Sequence, residues 1–137
     1  MNHARDRHPN VVVFLTDQQR WDTSGLHGNP LELTPNFDRM AQRGTHIAQS
    51  FTCQPVCAPA RSSLQTGMYA TRTGVHRNGF ALAPQAQTLA HYFNAAGYHT
   101  SYIGKWHLAD TEPVDEAQRG GYQDWLAANL LEFESEP

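Results

Sequence analysis

The residues best suited to chemistry lie in three short strings. The first is Cys57-Ala58-Pro59-Ala60-Arg61, continued by Ser62-Ser63-Leu64-Gln65-Thr66-Gly67. Proline lacks the N–H that a first helical turn leaves unbonded anyway, so Pro59 sits where a helix can begin. That puts Cys57 at or just before a helix N-terminus, whose N–H groups and partial positive charge suit a tetrahedral anion. Arg61 follows Cys57 by four residues and shares its face if helical geometry reaches back that far. A lone cysteine is ordinarily a small buried apolar side chain, so the rest of the string has to decide its role.

The second string is Asp17-Gln18, a carboxylate and an amide oxygen of the hard type that suits Ca²⁺ or Mg²⁺. The third is Gly104-Lys105-Trp106-His107. Two residues apart on an extended backbone, Lys105 and His107 point the same way, and a cation beside an imidazole suits anion binding and proton transfer. The segment Thr73 to Gly79 places His76 and Asn78 where they could meet a substrate, and it reads equally well as a surface loop. His27, His46, His91 and His99 have no partner at ligand spacing and read as structural or surface residues. Cys53, four before Cys57, would need further ligands to form a metal site. Trp21, Trp106 and Trp125 read as packing residues.

These strings need a scaffold. Val11 to Leu15 is a continuous β-branched and aromatic run, read as a strand buried on both faces, with Asp17 and Gln18 at its C-terminal end. Open α/β sheets place ligands at that edge. Residues 22–33 are loop. Thr34-Pro35 opens a helix that Gly44 stops, and His46 to Phe51 reads as a short strand. Ala60 to Thr66 is helical, ended by Gly67. Thr88 caps a helix carrying Leu89, Tyr92, Phe93 and Ala96, ended by Gly97. His99 to Ile103 is a strand leading to Lys105 and His107. Asp110 to Gly121 is a polar linker, and Trp125 to Phe133 a last helix or irregular apolar segment. The alternation implies an α/β fold with a mostly parallel sheet flanked by helices.

The string Cys57-x-Pro59-x-Arg61 with Leu64, Thr66 and Gly67 resembles the signature of the sulfatase family, and the resemblance runs from about Asn10 to His107. It implies an alkaline phosphatase-like fold, of which residues 10–137 form an N-terminal, truncated part behind a polar arm at residues 1–9. It implies oxidation of Cys57 to formylglycine, whose hydrated aldehyde is the nucleophile. Pro59 and Arg61 match elements recognised by the formylglycine-generating enzyme, and Arg61 also matches the residue that steadies the hydrated aldehyde. Gly104-Lys105-Trp106-His107-Leu108 is similar to the second family signature, in which the lysine binds sulfate and the histidine contacts the formylglycine oxygen. Asp17, Gln18 and residue 57 become metal ligands, for Ca²⁺ first and Mg²⁺ or Mn²⁺ as alternatives, and Asn78 a substrate contact. Many sulfatases carry two adjacent acids where this chain has Asp17-Gln18, so the site loses one negative charge.

The implied activity is hydrolysis of a small sulfate ester. One alternative is a phosphonate monoester or phosphodiester hydrolase of the same superfamily, which shares the Cys-x-Pro-x-Arg string and often an Asp-Gln pair. Another is a non-catalytic remnant, because nothing after His107 matches the family's remaining ligands. The 137 residues alone are therefore expected to be inactive. A net charge of −3 gives no basic excess for nucleic acid or an anionic membrane. The first ten residues lack the apolar stretch of a signal peptide, the longest apolar run is far too short for a membrane span, and two cysteines form no disulfide framework, so a cytoplasmic bacterial protein is expected. The leaving alcohol and the oligomeric state are not encoded in these residues.

Overall fold

A computed structural model describes residues 8–130, which divide after His46 into two compact units. In the first, the expected helix forms as α1, Pro35–Arg43, entered at Thr34 and left at Gly44. Asp38 fastens it to the preceding loop. Its Oδ1 accepts from the Leu26 N–H at 3.2 Å and from Thr34 Oγ1 at 3.1 Å, and Thr34 Oγ1 accepts from the Gly25 N–H at 3.1 Å. The loop itself holds two short 3₁₀ turns, Trp21–Thr23 and Gly25–His27, and His27 stacks on Trp21 with ring centroids 3.8 Å apart.

Val11 to Leu15 does not form the buried strand expected of it. The run joins no ladder among the described residues, and its side chains are exposed by 51 to 87%. A strand persists only where neighbouring chains take up its N–H and C=O groups. The one ladder among the described residues joins two other segments. His46 to Phe51 is likewise irregular and exposed, for want of the same partners.

The second unit runs α2 Cys57–Thr66, α3 Ala70–Thr73, α4 Leu89–Ala95, β1 Ser101–Lys105 and β2 Asp124–Ala128. Helix α2 begins at Cys57, three residues before the expected start at Ala60, with Pro59 still in the first turn. It ends at Gly67, whose φ of 70° is the left-handed conformation glycine adopts freely. Helix α4 opens with a capping box in which Thr88 and His91 satisfy each other's backbone and side chain. The segment from Trp125 is strand β2, neither helix nor irregular, and only its end beyond Leu130 lies outside the described residues. It pairs in parallel with β1, Tyr102 opposite Trp125 and Lys105 opposite Ala128. Residues 106–123 make the crossover that a parallel pair requires. Five residues suffice for a strand, and stacking of Trp125 on Tyr102 at 5.4 Å favours that register over a helix.

The core of this unit is Ala58, Val75, Leu82, Trp106, Leu108 and Val114, ringed by Tyr102, Tyr122 and Trp125. Complete burial of side chains such as Leu108 and Val75 contributes roughly 1.5–3 kcal/mol each. Gly120 lies against the Trp106 ring, where a Cβ would come within 2.7 Å of Cη2, and its φ of +62° disfavours any other residue. Among the described residues no helix is long and apolar enough to cross a membrane.

Candidate active site

Helix α2 presents Cys57 as its first helical residue, following an extended Val56. Two of the first-turn positions are accounted for. Pro59 has none, and the Ala58 N–H donates to Asn78 Oδ1 at 3.0 Å. Asn78 thus acts as a side-chain cap supplied from a distant loop, and it fixes the helix end that carries Cys57. His76, its neighbour in that loop, packs its ring against Phe80 at 4.5 Å.

One turn on, Arg61 is only 7% exposed. Its Nη1 donates to the Lys105 carbonyl at 2.5 Å and lies 3.3 Å from the Tyr102 hydroxyl, which itself donates to the same carbonyl at 2.7 Å. A charged donor and a phenol therefore lock α2 onto the end of β1. The consequence is a meeting of two of the sequence candidates: Lys105 Nζ stands 3.8 Å from Cys57 Sγ.

Beyond Lys105 the chain turns out of the ladder. Trp106 and His107 donate from consecutive N–H groups to Ala128 and Asn129 carbonyls, both at 2.8 Å. A regular strand cannot do this, because its successive N–H groups point to opposite edges. His107 has a φ of +58°, which costs a non-glycine residue about 1–3 kcal/mol. Trp106 and Leu108 enter the core, while Lys105 at 8% and His107 at 9% exposure are also buried. Three basic side chains, Arg61, Lys105 and His107, are thus buried in the unit that holds Cys57. Of the three, Lys105 brings its basic nitrogen to the Cys57 side chain.

Asp17 and Gln18 lie in the other compact unit, exposed, with Asp17 also at a positive φ of 60°. Among the described residues, no three or more His, Cys, Asp or Glu side chains gather as a metal site. The donor types of Asp17 and Gln18, a carboxylate and an amide oxygen, nonetheless fit a hard cation.

Two contributors escaped the sequence reading. Tyr102 lies within the expected strand His99 to Ile103, and nothing local marks its hydroxyl as a brace for Arg61. Asn129 lies in the segment read as helical or irregular. A short apolar run of strand length, Trp125 to Ala128, ending in a polar amide was the available signal.

The sulfatase family model matches residues 9–136. An uncharacterised sulfatase, YidJ of Escherichia coli strain K12, is 44% identical over 103 residues, 74% of this chain and 20% of its own length. The crystal structure of the putative sulfatase yidJ from Bacteroides fragilis superposes with a TM-score of 0.78 at 28% identity, covering 88% of this chain and 31% of that one. The phosphonate monoester hydrolase of Agrobacterium radiobacter superposes with a TM-score of 0.66 at 30% identity, covering 81% and 23%. The chain thus spans about a fifth of the length of the E. coli relative.

Proposed function

Because the chain belongs to the sulfatase family, we propose that it carries the nucleophile of a sulfate-ester hydrolase, and that this nucleophile is Cys57 oxidised to formylglycine. The observation that carries the reading is the 3.8 Å approach of Lys105 Nζ to Cys57 Sγ at the start of α2. It supports a site where a nucleophile and a sulfate-binding cation face the same group.

A sulfate monoester resists attack because its oxygens are negatively charged, so the site must neutralise them and supply a strong nucleophile. Lys105 takes the first task, holding a sulfate oxygen beside residue 57. Arg61, anchored to the strand end, steadies the residue-57 oxygen, and His107 moves the proton at that oxygen. Asn78 holds the first turn of α2 in place and adds a polar contact on the substrate side. The hydrated aldehyde supplies two hydroxyls on one carbon, one to attack sulfur and one to release product by re-forming the carbonyl, an exit that plain Cys or Ser lacks. A divalent cation held by Asp17, Gln18 and residue 57, Ca²⁺ before Mg²⁺ or Mn²⁺, would polarise the ester when bound. Three side chains fall short of the six to eight oxygens Ca²⁺ takes, so such a cation would need further oxygen ligands.

A second reading, phosphonate monoester hydrolysis, draws support from the Agrobacterium enzyme and from Gln18 in place of a second acid. The test assays the full-length gene product, produced with a formylglycine-generating enzyme, on an aryl sulfate and an aryl phosphonate monoester. The sulfate is expected to be favoured in kcat/KM by about tenfold or more, with Cys57→Ala lowering turnover by at least about a thousandfold. Preference for the phosphonate would replace the first reading by the second.

A further inference from the structure

Asn129 is a buried amide, 9% exposed, in a position where an apolar side chain would pack at no polar cost. All four of its hydrogen-bonding groups are engaged. Its carbonyl accepts from the His107 N–H at 2.8 Å. Its side-chain Oδ1 accepts from the Ala109 N–H at 3.1 Å, and its Nδ2 donates to the Ala109 carbonyl at 2.8 Å. Its own N–H donates to Glu112 Oε2 at 2.6 Å.

We infer that Asn129 is a positioning residue for His107. The side-chain amide pairs with both backbone groups of Ala109, as a neighbouring strand would, just where the β1–β2 ladder has ended. The main chain of the same residue holds the other side of the left-handed bend. His107 is therefore gripped before its Cα by one bond and two residues later by two. A non-glycine residue keeps a positive φ only where its surroundings fix it, and Asn129 is the residue that supplies those bonds from across the ladder. Glu112 in turn anchors Asn129, so the crossover loop closes back on its own exit strand. An Asp in the same place would accept from the Ala109 N–H but would repel the Ala109 carbonyl. A Leu would fill the space and hold neither.

The importance of this brace for turnover rests on the reading of His107 as a site residue, but the geometry does not, and the experiment separates them. Amide hydrogen exchange is measured by NMR on the 137-residue chain and on its Asn129→Ala, Asn129→Asp and Asn94→Ala variants. Asn94 is the control, a second amide that ties loop to helix by bonds to Gly121 and Thr100. In Asn129→Ala, exchange at Ala109 and His107 is expected to accelerate about tenfold or more beyond any change at core Val75. Asn129→Asp, which keeps one of the two side-chain bonds, is expected to fall between. Asn94→Ala is expected to leave His107 tracking Val75. In the full-length gene product, Asn129→Ala is expected to lower kcat about tenfold or more with KM little changed, as a misaimed group does. Exchange at His107 that follows Val75 in every variant would overturn the proposal, and so would an unchanged kcat in Asn129→Ala where His107→Ala loses turnover. If His107→Ala itself leaves turnover intact, the functional reading of His107 fails, while the exchange data still decide whether Asn129 holds it.

Discussion

The ammonium of Lys105 stands 3.8 Å from the sulfur of Cys57, although 48 residues separate them in sequence. Neither residue's own element creates this contact. It depends on Arg61, which reaches from α2 to the carbonyl of Lys105 and is braced there by Tyr102. The proposed nucleophile position and the proposed anion-binding cation are aligned through a third charged side chain that is itself buried.

Arg61→Ala is therefore expected to remove more than a charge. The Lys105 carbonyl keeps Tyr102 as its only donor among the two described, and a cavity opens between α2 and β1. A loss of about 2–4 kcal/mol in urea-unfolding stability is expected. Arg61→Lys is expected to recover only part of it, since an ammonium cannot reproduce the planar guanidinium fork. A change below about 0.5 kcal/mol for the alanine variant would mean that Arg61 does not lock the helix to the strand.

Asn78 caps α2 at Ala58. Asn78→Ala is expected to cost about 1 kcal/mol in thermal unfolding. Asn78→Asp is expected to restore it, because a carboxylate accepts the same N–H and meets the positive end of the helix. If alanine and aspartate behave alike, the cap is not formed.

At the start of the sheet, Asp124 faces Ser101 of the paired strand and His99 just before it, with bonds of 2.8 and 2.7 Å. The Ser101 hydrogen bond, then that of His99, holds its carboxyl below the ordinary value. A lowered folded-state pKa stabilises the protein above the unfolded-chain value, and this contribution is lost as pH falls through the folded-state value. Because the side chains are exposed, the effect is small. The stability difference between the native chain and Asp124→Asn is expected at neutral pH and should vanish in acid. A difference that grows towards low pH would contradict this pairing.

Much of this was legible in the residues. Thr34-Pro35 and Gly44 set the ends of α1, and Thr88 the start of α4, because caps and stops act locally. Cys57 at the head of α2 and Lys105 at the end of β1 followed from Pro59, Gly67 and the apolar run before Lys105. What escaped depends on distant partners. Val11 to Leu15 has strand composition, but composition supplies no neighbour to pair with. Trp125 to Phe133 reads as a helix or an irregular segment because the order of strand β2 within it comes from β1, 23 residues earlier in register. Asn129 carries no motif at all, and its role appears only when its amide is seen against Ala109.

The central claim is the identity of residue 57, and peptide mass tests it most directly. The chain is produced together with a formylglycine-generating enzyme under aerobic conditions, digested, and the peptide spanning Cys57 to Arg61 weighed. The expected product has lost one sulfur and two hydrogens and gained one oxygen relative to the unmodified peptide, and the change should be absent in Pro59→Ala and Arg61→Ala controls. A peptide that keeps its thiol mass beside a fully active modifying enzyme would contradict the claim that Cys57 is the precursor of the nucleophile.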